Sequence, residues 1–141
     1  QRNGHLKSHA GQVAFPGGKI DPTDSGPVDA ALREADEEIG LTPERVEPLG
    51  NLSPYLTGSG YRVVPVVGVI RGEIPFRPNP DEVEAVFEVP LQFLMDPANH
   101  QKRSRDWQGK PRYFYAMPYG ERYIWGVTAG IIRSLYDTVY R

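Results

Sequence analysis

The residues best suited to chemistry stand together in Arg33-Glu34-Ala35-Asp36-Glu37-Glu38-Ile39-Gly40-Leu41, which puts four carboxylates into five consecutive positions. On a helix turning about 100° per residue, Glu34, Glu37 and Glu38 fall within one sector, beside the apolar stripe. Like charges at i,i+3 and i,i+4 repel and weaken an isolated helix. A sequence shaped by stability alone would intersperse lysines. Divalent cations would neutralise the cluster, and carboxylate oxygens on one rigid face suit Mg²⁺ or Mn²⁺, hard ions that also take substrate phosphates as ligands. Arg33, four residues before Glu37, is within reach of a bond that orients that carboxylate. The plainer alternative is a solvated acidic helix face, the usual fate of a charge run.

These groups need a helix to present them, and the pattern from Val28 supplies one. Val28, Ala31, Leu32, Ala35 and Ile39 recur at spacings of three and four, and Gly40 is the stop signal. Ahead of it, Lys19–Pro27 holds Asp21-Pro22-Thr23-Asp24-Ser25-Gly26-Pro27, a turn-rich loop by its local chemistry. Gln1–Gly11 is polar and reads as a loop, and Gln12–Phe15 as a short strand stopped by Pro16-Gly17-Gly18. Val46–Leu52 and Tyr61–Ile70 read as strands around a Thr57-Gly58-Ser59-Gly60 turn, and Val83–Val89 as a strand-like mixture of apolar and acidic residues. Pro90–Met95 fits one helical turn. Arg112–Met117 and Arg122–Trp125 fit a hairpin, and Thr128–Tyr140 a closing amphipathic helix. The expected architecture is α+β, an α/β/α sandwich with a mixed central sheet.

With 141 residues, 39% of them apolar and 24% charged, the chain fits one globular domain spanning 1–141. The net charge of −2 offers no basic field for nucleic acid or an acidic membrane. No cysteine is present, which removes disulfides, thiolate nucleophiles and Cys-type zinc sites and suits a reducing, cytoplasmic compartment. No apolar run approaches the roughly 20 residues that span a bilayer. The chain opens at Gln1 without a Met, so targeting is not readable there.

The segment Gly18-x5-Asp24-x8-Arg33-Glu34-Ala35-x-Glu37-Glu38-x-Gly40-Leu41 resembles the Nudix box, G-x5-E-x7-R-E-U-x-E-E-x-G-U with U a bulky aliphatic residue. The sequence departs from it at three places. Asp24 replaces the usual Glu, one extra residue precedes Arg33, and Ala35 is smaller than the usual U residue. The resemblance implies the Nudix fold and metal-dependent hydrolysis of a pyrophosphate bond. It implies Glu34 and Glu38 as primary metal ligands, Glu37 as a third, and catalytic roles for Glu34, Glu37 and Arg33, with Glu34 the expected general base. Gly17 and Gly18 would let main-chain groups approach the ligand closely. Glu82 is either a further ligand or base from a distant loop, or an exposed turn glutamate.

The preceding run, Lys7-Ser8-His9-Ala10-Gly11-Gln12-Val13-Ala14-Phe15-Pro16-Gly17-Gly18, resembles the motif of coenzyme A pyrophosphatases, R-x3-G-x3-F-P-G-G, with Lys7 in place of Arg. Lysine keeps the charge and loses the planar fork. The resemblance implies substrate contacts at Lys7, His9, Gly11, Gln12, Phe15, Gly17 and Gly18, and an N-terminal strand of the motif upstream of residue 1. Val64-Pro65-Val66-Val67-Gly68, Asp81-Glu82-Val83 and Trp125-Gly126-x-Thr128-Ala129 are similar to the same subgroup, although core packing explains most of these residues. The implied activity converts coenzyme A or acyl-coenzyme A to 4′-phosphopantetheine and 3′,5′-ADP. The alternatives are a pyrophosphatase for another nucleoside diphosphate linked to X, such as ADP-ribose, NADH or a dinucleotide, and a non-catalytic nucleotide-binding module. The partner is in each case a small molecule.

Other signals fall away. Gly17-Gly18-Lys19 lacks the Ser/Thr and first Gly of a P-loop. His5, His9 and His100 have no zinc spacing. Lys102-Arg103-Ser104-Arg105 reads as a solvated loop, with contact to an extra phosphate of the ligand as the alternative.

Overall fold

The computed structural model describes residues 1–6 and 11–140. The chain forms two compact units, Gln1–Gly11 with Phe15–Val86, and Gln12–Ala14 with Phe87–Arg141. Helices and antiparallel sheets make up both, the α+β class expected. Every strand pairing described is antiparallel, in two two-stranded sheets and one three-stranded sheet, and the parallel pairing that would make a sheet mixed is not among them. Among the described residues no helix is long and apolar enough to cross a membrane.

In the first unit the helix α1 spans Pro27–Ile39, with Pro27 at its first position, where the missing N–H costs nothing. Gly40 ends it in the left-handed region at φ 70°, its N–H donating to the Asp36 carbonyl and the Leu41 N–H to the Ala35 carbonyl. Two more of the last carbonyls are taken from a distant segment. Arg77 N donates to Ile39 O at 2.8 Å, and Asn79 N to Glu38 O at 2.8 Å. These bonds bring the Asp81-Glu82 turn to the C-terminal half of α1. Strand β1 (Val46–Asn51) pairs with β4 (Val66–Ile70), and β2 (Tyr55–Leu56) with β3 (Arg62–Val63). The expected strand Tyr61–Ile70 is thus broken in two. Pro65 has no N–H for a ladder and instead accepts from Leu52 N at 2.9 Å.

Val83–Val89 forms no strand. Among the described residues it makes one bridge, Val83 to Arg2, flanked by Asn3 N to Glu82 O and Glu84 N to Gln1 O, both at 2.9 Å.

The second unit is built on β5 (Gln101–Trp107), β6 (Lys110–Tyr119) and β7 (Arg122–Trp125), in that order in one sheet. A tight turn at Gln108-Gly109, both at positive φ, joins β5 to β6. The stretch Lys102–Arg105, read from sequence as a loop, is therefore strand. The short helix α2 (Leu91–Leu94) precedes the sheet, and α3 (Gly126–Tyr140) packs on it. Met117, Ile124, Ala129 and Ile132 form the core, and full burial of a side chain such as Met117 or Ile124 contributes about 1.5–3 kcal/mol. Gln12–Phe15 adopts no regular element, but Val13 packs on this core and its carbonyl accepts from Thr128 Oγ1 at 2.8 Å. His100 is structural, its Nε2 on the Leu94 carbonyl and its Nδ1 facing Arg133.

Candidate active site

Burial sorts the carboxylates of α1. Glu38 is 9% exposed, the Glu34 side chain 17% and the Glu37 side chain 56%, while Asp36 is exposed. The shared sector read from sequence therefore divides, with Glu34 and Glu38 turned inward and Glu37 at its outer edge.

The two glycines before the loop lie on the inward pair. Gly17 N donates to Glu38 Oε2 at 2.9 Å. A Cβ on Gly18 would come within 2.5 Å of Glu34 Oε1 and 2.8 Å of its Cδ, so only glycine leaves that carboxylate where it stands. Gly17, in contrast, has open space where a Cβ would project.

Arg33 collects the remaining acids. Its Nε and Nη2 grip Asp24 through two bonds, at 3.1 and 3.0 Å, in the planar fork geometry that arginine alone provides. Nη2 also donates to Lys19 O and faces Asp21 at 3.4 Å. Nη1 reaches Glu34 Oε1 at 3.1 Å and Glu37 at 3.4 Å. One cation thus balances four carboxylates, and it does so from a fixed position. Asp24 is itself anchored, because its Oδ2 accepts from Asp21 N at 2.8 Å. The bonds from Arg33, and then the Asp21 backbone, hold the Asp24 carboxyl below its ordinary value.

Glu38 shows the opposite shift. Burial raises its pKa, the Gly17 N–H pulls it down, and the charges of Glu34 and Glu82 raise it again, with Arg2 acting against them. Glu82 therefore contributes to the electrostatics of this carboxylate, which its place in an exposed turn did not announce. Asp21 is the residue that sequence reasoning missed as a partner of Arg33. Its only signal was its place three residues before Asp24 in the turn.

Lys7 and His9 lie outside the described residues. Gly11 takes a left-handed φ of 71°, and its N–H meets the Asn3 carbonyl at 3.4 Å. Phe15 is 54% exposed. Gln12 belongs to the second unit. Among the described residues no three His, Asp or Glu side chains are gathered tightly enough to cage an ion by themselves. The donors on α1 are all carboxylate oxygens. This chemistry fits a hard divalent cation that keeps water and substrate phosphate in its coordination shell. Such a cation would also oppose the burial and the neighbouring Glu34 and Glu82 charges that raise Glu38.

Comparison with known proteins gives this arrangement its family. The family description "NUDIX domain" matches residues 1–111. The chain is 45% identical over 135 residues to the "Uncharacterized Nudix hydrolase NudL" of Escherichia coli strain K12, and equally to those of Escherichia coli O1:K1 / APEC and Shigella boydii serotype 18. Each match covers 96% of this chain and 70% of the relative. Nudix hydrolases work with divalent metal ions on small nucleotide derivatives. With a Gly17-Gly18 loop set against Glu34 and Glu38, and Arg33 locked to the loop acid, this chain belongs to the Nudix hydrolase family and is a pyrophosphohydrolase acting on phosphorus anhydrides.

Proposed function

We propose that the chain hydrolyses the pyrophosphate bond of coenzyme A or an acyl-coenzyme A, using Mg²⁺ or Mn²⁺ and releasing 4′-phosphopantetheine and 3′,5′-ADP. The observation that carries the reading is the continuity of the Gly11…Phe15-Pro16-Gly17-Gly18 run, resembling the coenzyme A pyrophosphatase motif, with the two glycine contacts on Glu38 and Glu34. Phe15, half-exposed immediately before those glycines, is available as a substrate contact, as are Gly11, Gln12, Lys7 and His9 by motif. Both units then belong to one domain, which the family match across residues 1–111 supports. A cytoplasmic setting completes the reading, supported by the absence of cysteine.

In this reading water adds its oxygen to one phosphorus, the P–O bond to the bridging oxygen breaks, and that oxygen leaves on the other phosphate. Glu34 accepts the proton from the attacking water. Arg33 fixes the Glu34 and Glu37 carboxylates, and the Gly17 amide fixes Glu38. Glu34 and Glu38, with Glu37, would hold the divalent ions, which screen the pyrophosphate charge and acidify water when bound.

The test is a substrate panel of coenzyme A, 3′-dephospho-coenzyme A, ADP-ribose and NADH with each metal, the products identified by mass. Coenzyme A is expected to show the highest kcat/KM. Lys7→Ala should erode its advantage over the dephospho form by about tenfold, the scale of one charge-assisted contact. A clear preference for ADP-ribose or NADH would overturn the coenzyme A assignment and leave the family activity standing.

A further inference from the structure

The three-stranded sheet of the second unit has two unlike faces. Residues opposite one another in an antiparallel ladder share a face, and successive residues along a strand alternate between faces. Met117 and Ile124 point to the face covered by α3. The other face carries Arg103 and Arg105 from β5, Arg112 and Phe114 from β6, and Tyr123 and Trp125 from β7.

The aromatic rings on that face are already assembled. Phe114 meets Trp125 edge-on at 5.6 Å between centroids, Tyr123 stacks beside Trp125 at 6.2 Å, and the Arg105 guanidinium lies 5.6 Å over the Trp125 ring. Tyr123 remains 43% exposed. Trp107, 51% exposed, continues the same face opposite Lys110.

The charges are arranged against stability. Arg105 and Arg112 are direct cross-strand partners, and like charges directly opposite destabilise a sheet. Arg103 stands two residues along, opposite Phe114, with Nε and Nη2 on the neutral Gln101 Oε1, and no strand position on this face carries a carboxylate. The whole chain, by contrast, has a net charge of −2. An anion between the guanidiniums would offset their repulsion, and the flat rings beside them would stack a base.

We propose that this face binds a nucleoside phosphate, its phosphate held by Arg103, Arg105 and Arg112 and its base stacked on the Tyr123–Trp125 rings. The assignment concerns this sheet alone and does not depend on which substrate is hydrolysed. Both tryptophans of the chain, Trp107 and Trp125, lie on this face, so intrinsic tryptophan fluorescence reads it directly.

The experiment titrates the full chain with adenosine 3′,5′-bisphosphate in EDTA, against adenosine, inorganic pyrophosphate and oligothymidylate. Saturable quenching by the bisphosphate is expected, with adenosine and pyrophosphate each about tenfold weaker or more, since each supplies one half of the contact. Arg112→Glu replaces a like-charged pair with an opposite one. It should therefore weaken binding about tenfold or more while raising Tm. The double variant Arg105→Gln/Arg112→Gln should also lose binding with Tm maintained. The proposal is overturned if the bisphosphate gives no saturable quenching. It is equally overturned if Arg112→Glu binds like the wild type, or loses binding and Tm together, as a purely structural arginine would. Markedly tighter binding of oligothymidylate would make the face a nucleic-acid surface and also refute it.

Discussion

Adding one methyl group at Gly18 should separate the chemistry of α1 from its stability. The Cβ of Gly18→Ala would lie 2.5 Å from Glu34 Oε1, about 0.9 Å short of ordinary van der Waals contact. The atom it strikes is the far end of a flexible side chain, so Glu34 swings aside and the backbone need not move. The displacement has to be close to 1 Å, and it pulls Oε1 off Arg33 Nη1, now at 3.1 Å. Misplacing a reacting group by about 1 Å costs on the order of 10²-fold in rate. Gly18→Ala is thus expected to lower kcat by about 10²-fold with Tm shifted by only a few degrees. Gly17→Ala is the matched control. Its methyl meets no protein atom, its φ is not positive, and its N–H still donates to Glu38, so both carboxylates stay in place and kcat should fall far less than in Gly18→Ala. Steady-state hydrolysis and thermal denaturation of the two variants decide the matter. Equal losses of kcat in both, or a near-wild-type Gly18→Ala, would show that the Glu34 position is not what the glycine protects.

Glu34→Gln keeps the shape and removes the charge, and kcat should fall about 10²-fold or more, whereas Asp36→Asn on the exposed side of α1 should leave it nearly unchanged. Asp24 has a folded-state pKa below its ordinary 3.8, so its stabilising contribution is complete above that value and is lost as pH falls through the lowered one. Urea midpoints of wild type should therefore drop more steeply than those of Asp24→Asn as pH falls below 3.8, and parallel curves would count against the Arg33–Asp24 pairing. Gly40→Ala forces a side chain into φ 70° and against Arg77 Cβ at 3.2 Å, which should cost about 1–2 kcal/mol in denaturant unfolding.

What could be read from sequence depended on whether a segment's structure is decided locally. The helix expected from Val28 to Ile39 appears as Pro27–Ile39, because its apolar spacing and Gly40 stop are local signals. Strand β5 was invisible for the opposite reason. All seven of its residues are exposed, so the period-two apolar pattern is missing, and only pairing with β6 makes it a strand. Val83–Val89 failed in the other direction. It has a strand-like composition, but it is bound by the N-terminal residues and by Asn79 rather than by a sheet partner. The same distinction runs through the site. Glu34 and Glu38 could be placed by helix geometry alone, and Gly18 by motif. The outward turn of Glu37, the Asp21–Arg33 contact and the influence of Glu82 on Glu38 all arise from segments brought together by folding.

The loop acid has a bearing on protein engineering. Consensus redesign would treat Asp24 as an error and restore the glutamate that most relatives of the box carry. Here the shorter side chain is already fully engaged. The Asp24 side chain is only 6% exposed, with Oδ1 and Oδ2 both committed to Arg33 and Oδ2 also to Asp21 N. An added methylene would have to be accommodated inside that closed set of bonds, and Arg33, which also holds Glu34, would move with it. Asp24→Glu would therefore repair the letters of the motif while damaging the geometry they encode.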